Sequence, residues 1–136
     1  MKKFVLSLVV LSLIAAFLAA CGGSTGSSSS SSSSGSSSSG MPTVHMNGNN
    51  FAQSSITISK GQSLMLVDDA SAVHIIANGS WSNGSAQPKQ ESGAPAVNNL
   101  QFNGNDSHTI GPFNTAGTYH LYCSVHPGMN LTVIVQ

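Results

Sequence analysis

Two β-forming runs, Thr118 to Cys123 and Asn130 to Val135, are separated by only the six residues Ser124-Val125-His126-Pro127-Gly128-Met129. This junction sets a thiol, an imidazole and a thioether at C-x2-H-x2-M spacing. A soft sulfur donor, an imidazole and a weak axial Met are the ligand types that select copper over zinc in a trigonal site. A second equatorial imidazole must then come from elsewhere. Of the other histidines, His74, 49 residues before Cys123, is the leading candidate. Taken singly, each of these residues has a plainer role. A lone Cys is often a small buried hydrophobe, Met129 could fill core, and His74 lies between Val73 and Ile75. Their joint occurrence around one inter-strand loop is what argues for a metal.

Cysteine counting strengthens that reading. The 136-residue chain has two cysteines, Cys21 and Cys123, and they fall in different regions. Lys2 and Lys3 precede an apolar run from Phe4 to Phe17, interrupted only by Ser7 and Ser12, and Leu18-Ala19-Ala20-Cys21 closes it. This has the form of a secretory signal, with an apolar run short for a membrane span. A cysteine directly after Leu-Ala-Ala resembles the lipobox of bacterial lipoproteins. The expectation is a signal peptide over 1–20 and lipidation of Cys21; in an ordinary signal peptide, cut near Ala20, Cys21 would be incidental. Residues 22–40 are almost wholly Ser and Gly. With no apolar side chains to bury, they cannot offset the entropy of ordering. A flexible leash spanning roughly 25 Å over about 20 residues is expected, so that 21–40 reads as lipidated Cys plus linker. Cys123 is then a lone thiol in an oxidising compartment, to be paired between chains, buried or held as a ligand.

Residues 41–136 remain as one domain, long enough for a single modest core. Two lysines, Lys60 and Lys89, face four acids, Asp68, Asp69, Glu91 and Asp106. Nothing here is basic enough for nucleic acid or an anionic membrane surface. Short β-rich runs punctuated by turn residues dominate, and no window shows a 3.6-residue apolar period. Strands are expected at Thr43 to Met46, Ser55 to Ser59, Ser63 to Val67, Val73 to Ala77 (ending at Asn78-Gly79), Thr109 to Phe113, Thr118 to Cys123 and Asn130 to Val135. Residues 79–106 read as a long loop with Trp81, Leu100 and Phe102 as apolar anchors. The fold class expected is all-β, an antiparallel Greek-key β-sandwich of seven to eight strands.

Alternation places Tyr119, Leu121 and Cys123 on one face of their strand, with His120 and Tyr122 on the other. If Cys123 points inward, His120 is excluded as a ligand and Tyr122 lies on the outer surface. His45 and His108 are read as surface residues.

The order Gly117-Thr118-Tyr119-His120-Leu121-Tyr122-Cys123-Ser124-Val125-His126 resembles the penultimate strand and ligand loop of cupredoxins, the plastocyanin/amicyanin type of blue copper protein. Phe51, Ile56-Thr57-Ile58 and Lys60-Gly61 are similar to the family's opening strands, and the gap between His126 and Met129 is similar to the short amicyanin loop. The resemblance implies the cupredoxin fold, one type 1 copper as cofactor, and His74, Cys123, His126 and Met129 as metal ligands. It further implies electron exchange with redox partner proteins through the His126 edge, with Tyr122 as a second, remote position. Two departures stand out. Ile75 and Val125 occupy places where the family commonly has Asn and Pro, and the Val125 N–H is expected to donate to the Cys123 sulfur in place of the missing Asn contact. The expected protein is a non-enzymatic, monomeric electron shuttle outside the cell, held to the membrane by its lipid. A copper-delivery lipoprotein without a shuttle role is the alternative; Met- or His-rich tracts would favour it, and none occurs.

Overall fold

A computed structural model describes residues 40–136. The signal, Cys21 and the linker expected before them lie outside the described residues. Ten strands follow one another: β1 Thr43–Asn47, β2 Asn50–Phe51, β3 Ser55–Ile58, β4 Leu64–Asp68, β5 His74–Ser82, β6 Ser85–Pro88, β7 Leu100–Phe102, β8 Ser107–Ile110, β9 Gly117–Cys123 and β10 Asn130–Val135. They form two sheets, one ordered β2-β1-β4-β8, the other β3-β10-β9-β5-β6 with β7 also paired to β5. The all-β sandwich is as expected. The strands beyond eight are short ones in the regions read as loop.

The sheets are mixed rather than purely antiparallel. β1 runs parallel to β4, and β3 runs parallel to β10. Parallel neighbours need a long crossover, and the chain supplies one each time. Residues between β1 and β4 leave the first sheet to place β3 in the second before returning.

Alternation builds the core between the sheets. Leu64 and Leu66 of β4, Leu121 of β9, and Leu131 and Val133 of β10 are at most 1 % exposed, as are Val44, Met46, Ile76 and Phe102. Burying a side chain of this size contributes about 1.5–3 kcal/mol. Phe113 packs against Tyr119 with ring centroids 5.9 Å apart, and the Tyr119 hydroxyl donates to the Thr115 carbonyl at 2.8 Å. That pair fixes the entry into β9, the strand that carries Cys123.

β5 overruns its expected end. Asn78-Gly79 is not a turn but continues the strand to Ser82, and the reversal comes at Asn83-Gly84, both at positive φ (51° and 74°), as a two-residue hairpin requires. At Gly79 the backbone has φ +128° and a Cβ would stand 2.3 Å from the Gln87 carbonyl oxygen. Glycine is there because β6 presses against it, not because the chain turns. Asn78 is buried and pins the following segment: its Oδ1 accepts the Val97 N–H at 2.7 Å and its own N–H donates to the Val97 carbonyl.

This ribbon corrects the placement of Tyr122, which is 4 % exposed rather than on the outer surface. Its face of β9 does point away from the core, as alternation requires. Trp81, delivered by the extended β5, covers it edge-on with centroids 6.2 Å apart.

Candidate metal centre

His74 opens β5 and Cys123 closes β9. These strands are antiparallel neighbours with Ile76 opposite Cys123, so the two residues meet at one end of the sandwich. Inward alternation buries His74, Ile76 and Cys123, each 0 % exposed. The loop after Cys123 folds back on itself: the Cys123 N–H donates to the Met129 carbonyl at 3.0 Å and the Met129 N–H to the His126 carbonyl at 3.2 Å. Gly128, at φ +82°, supplies the left-handed residue this tight return requires. His126 is half-buried, Val125 and Pro127 are exposed, and Met129 is 1 % exposed.

Three donor atoms converge. Cys123 Sγ lies 3.7 Å from His74 Nδ1 and 3.4 Å from His126 Nδ1, and the two nitrogens are 3.2 Å apart. A point about 2.0 Å from all three lies in their plane, where first-row metal bonds are about 2.0–2.1 Å to imidazole and about 2.3 Å to thiolate. That point suits both imidazoles and is about 0.3 Å short of a thiolate bond, so the three donors stand within a few tenths of an ångström of holding a cation. Both imidazoles present Nδ1, and their rings meet edge-on with centroids 4.8 Å apart. Burial pushes the His74 pKa below its ordinary value, more than the neighbouring Asp68 raises it, and His126 adds to the lowering. The lowering favours the neutral form, the form in which an imidazole nitrogen binds a metal.

The neighbouring contacts hold this geometry. Trp81 Nε1–H donates to the Cys123 carbonyl at 2.8 Å, and the Trp81 backbone is clamped to Asn130 by bonds of 2.7 and 3.1 Å. The Ile75 carbonyl accepts the Ser124 N–H at 2.8 Å and its hydroxyl at 3.3 Å. That pair ties the two ligand segments together where an Asn side chain was missing. The expected bond from the Val125 N–H to the Cys123 sulfur is not among those formed by the described residues. Ile75 and Ser124 supply the tie instead, and Val125 faces outward, 45 % exposed.

The remaining histidines pair with carboxylates away from the site: His45 with Asp69 at 2.7 Å, His108 with Asp106 at 3.2 Å and His120 with Glu91 at 2.7 Å. Among the described residues, His74, Cys123 and His126 are the group arranged to hold a metal ion. Cys123 is a free, buried thiol. Tyr122, expected as a remote exposed position, is buried, with Trp81 packed edge-on against it. Two residues of the site were missed in the sequence. Trp81 gave no local signal beyond being the sole tryptophan. Asp68 did: it continues the inward series Leu64, Leu66 at period two, one residue past the strand end expected at Val67.

Comparison with known proteins agrees with this site. The model of the copper-binding proteins of the plastocyanin/azurin family matches residues 40–136. The fold is similar to crystalline amicyanin from Paracoccus versutus (23% identity, 71% of this chain and 81% of that one, TM-score 0.54). It is likewise similar to a purple cupredoxin from Nitrosopumilus maritimus (23% identity, 70% and 99% covered, TM-score 0.55). A reduced amicyanin variant matches at 16% identity over 72% of this chain and 84% of that one, TM-score 0.55. No curated protein matches by sequence. The donor set and the family together support one type 1 copper as the cofactor. Through the family match over its whole described domain, with His74, His126 and Cys123 gathered where a copper ion fits, the chain belongs to the plastocyanin/azurin family of copper-binding proteins.

Proposed function

We propose that this protein is a mononuclear type 1 copper electron carrier tethered outside the cell, exchanging single electrons with redox partner proteins. The observation that carries the reading is the convergence of Cys123 Sγ, His74 Nδ1 and His126 Nδ1 around one point at metal-bond distance. In this assignment Met129, buried in the same loop, would supply its thioether as a fourth, weak ligand. Bound copper supplies reversible one-electron chemistry between Cu(I) and Cu(II). The chain's part is to hold the donors still. His74 and Cys123 come from paired strands, His126 and Met129 from a loop closed by two backbone bonds and tied to β5 by a third, so little rearrangement accompanies a change of oxidation state. The apolar surroundings and the weak thioether donor would tune the potential.

His126 is the half-exposed ligand, flanked by exposed Val125 and Pro127, and serves as the electron port. Tyr122, being covered, is not a direct contact for a partner. The burial of His74, Cys123 and Met129 opposes a delivery role, which needs ligands that can exchange. The tether rests on Cys21 and the Ser/Gly leash read in the sequence. Addition of Cu(II) to purified protein tests the reading: an intense visible thiolate-to-copper band that bleaches on reduction supports it, and a band that survives Cys123→Ser removes it.

A further inference from the structure

Four histidine–carboxylate pairs occur among the described residues, and one differs from the rest. His45–Asp69, His108–Asp106 and His120–Glu91 are short contacts at partly or well exposed positions. Asp68 and His74 are dry, both side chains 0% exposed, with Asp68 Oδ1 3.7 Å from His74 Nε2. That separation is too long for a hydrogen bond. Among the described residues, the buried side-chain polar atoms without a partner are Asp68 Oδ2 and His74 Nε2. Buried carboxylates are costly unless paired. Asp68 is held in place: Oδ1 accepts the Ala70 N–H at 3.1 Å and its backbone N–H donates to the Asp106 carbonyl at 2.8 Å. An apolar residue would continue the series Leu64, Leu66 and remove the cost. The sequence instead keeps an acid behind a ligand histidine.

We infer that Asp68 is a positioning and charge-compensating residue of the copper centre. The inference rests on the proposed function and deepens it. Its first effect is orientation. A carboxylate beyond Nε2 favours the tautomer with the proton on Nε2, which leaves Nδ1 bare and aimed at Cys123 and His126. Its second effect is charge. The thiolate of Cys123 and the carboxylate of Asp68 balance the two positive charges of Cu(II), whereas Cu(I) leaves one uncompensated negative charge in a dry interior. Charge–charge energies are large there, so Asp68 biases the site toward the oxidised state. The three exposed pairs lie in a screened environment and exert no comparable bias.

The test is the reduction potential of Asp68→Asn beside the unaltered protein, by spectroelectrochemistry on the copper-loaded forms. The expected result is a higher potential, with the ratio of Cu(I) to Cu(II) affinity raised about tenfold, equivalent to about 59 mV for one electron. An unchanged or lower potential, with the thiolate-to-copper band intact, overturns the inference and leaves the proposed function standing. Absence of the band from the unaltered protein overturns the proposed function itself. Should Asp68→Asn fail to fold, nitrogen NMR of the unaltered metal-free protein decides. His74 protonated on Nε2 upholds the inference, and His74 protonated on Nδ1 refutes it.

Discussion

Replacing Trp81 by Phe isolates one contact of the site. The indole N–H that donates to the Cys123 carbonyl at 2.8 Å is lost, while an aromatic ring remains over Tyr122. Cys123 is 0% exposed, so its carbonyl has poor access to water in exchange. Stranding a buried acceptor costs about 1–3 kcal/mol, against about 0.5–1.5 kcal/mol for an average bond with both partners accounted for. The aromatic edge contact, about 0.5–1.5 kcal/mol, is largely kept by Phe and lost in Trp81→Leu, which should therefore be the less stable of the two. For a domain of this size about 1 kcal/mol shifts Tm by about 4–8 °C. Trp81→Phe in the metal-free protein should thus melt roughly 5–20 °C lower by circular dichroism, with Trp81→Leu lower again. A Tm within about 2 °C of the parent would refute the claim that this bond anchors the ligand strand.

Other outcomes follow from the same structure. Gly79→Ala should destabilise strongly in urea, since a Cβ there meets the Gln87 carbonyl oxygen at 2.3 Å; Gly128→Ala, with nothing within 4 Å, should cost only the about 1–2 kcal/mol of its left-handed backbone. Burial raises the Glu91 pKa, but hydrogen bonds from the His120 side chain and from the Glu91 and His120 backbone outweigh it and hold the carboxyl below its ordinary value of 4.5. The stability this contributes is present above that value and is lost as pH falls through the lowered one. Glu91→Gln should therefore melt below the parent at neutral pH and converge with it in acid. With two lysines and four acids in residues 41–136, partner encounter should be nearly insensitive to salt, tested by stopped flow as the Debye length falls from about 30 Å to about 8 Å. A steep loss of rate would expose a concentrated charged patch instead.

What could be read in the sequence was what is encoded locally. The C-x2-H-x2-M loop lies within seven residues, and β10 shows its period-two burial openly, Leu131, Val133 and Val135 inside with Ile134 37% exposed. His74 needed the family resemblance, because a lone histidine between apolar neighbours looks the same as a core residue. The parallel pairing of β1 with β4 and of β3 with β10 has no local signature, since it depends on which sheet the intervening strand joins. Asn78-Gly79 and Asn83-Gly84 are the same dipeptide, and only the packing of β6 against Gly79 separates the strand from the turn. Tyr122 was assigned to the correct face, yet what covers that face arrives from 41 residues earlier in the chain. Asp68 was legible by alternation but falls one residue past the strand end expected at Val67.

The central claim is that Cys123, His74 and His126 form one copper site with redox function. Titrating the purified protein with Cu(II) while recording its visible spectrum tests it most directly. An intense thiolate-to-copper band should grow to one copper per chain, bleach on reduction, return on reoxidation and be lost in Cys123→Ser. No band, or one that persists without the Cys123 thiol, would contradict the account.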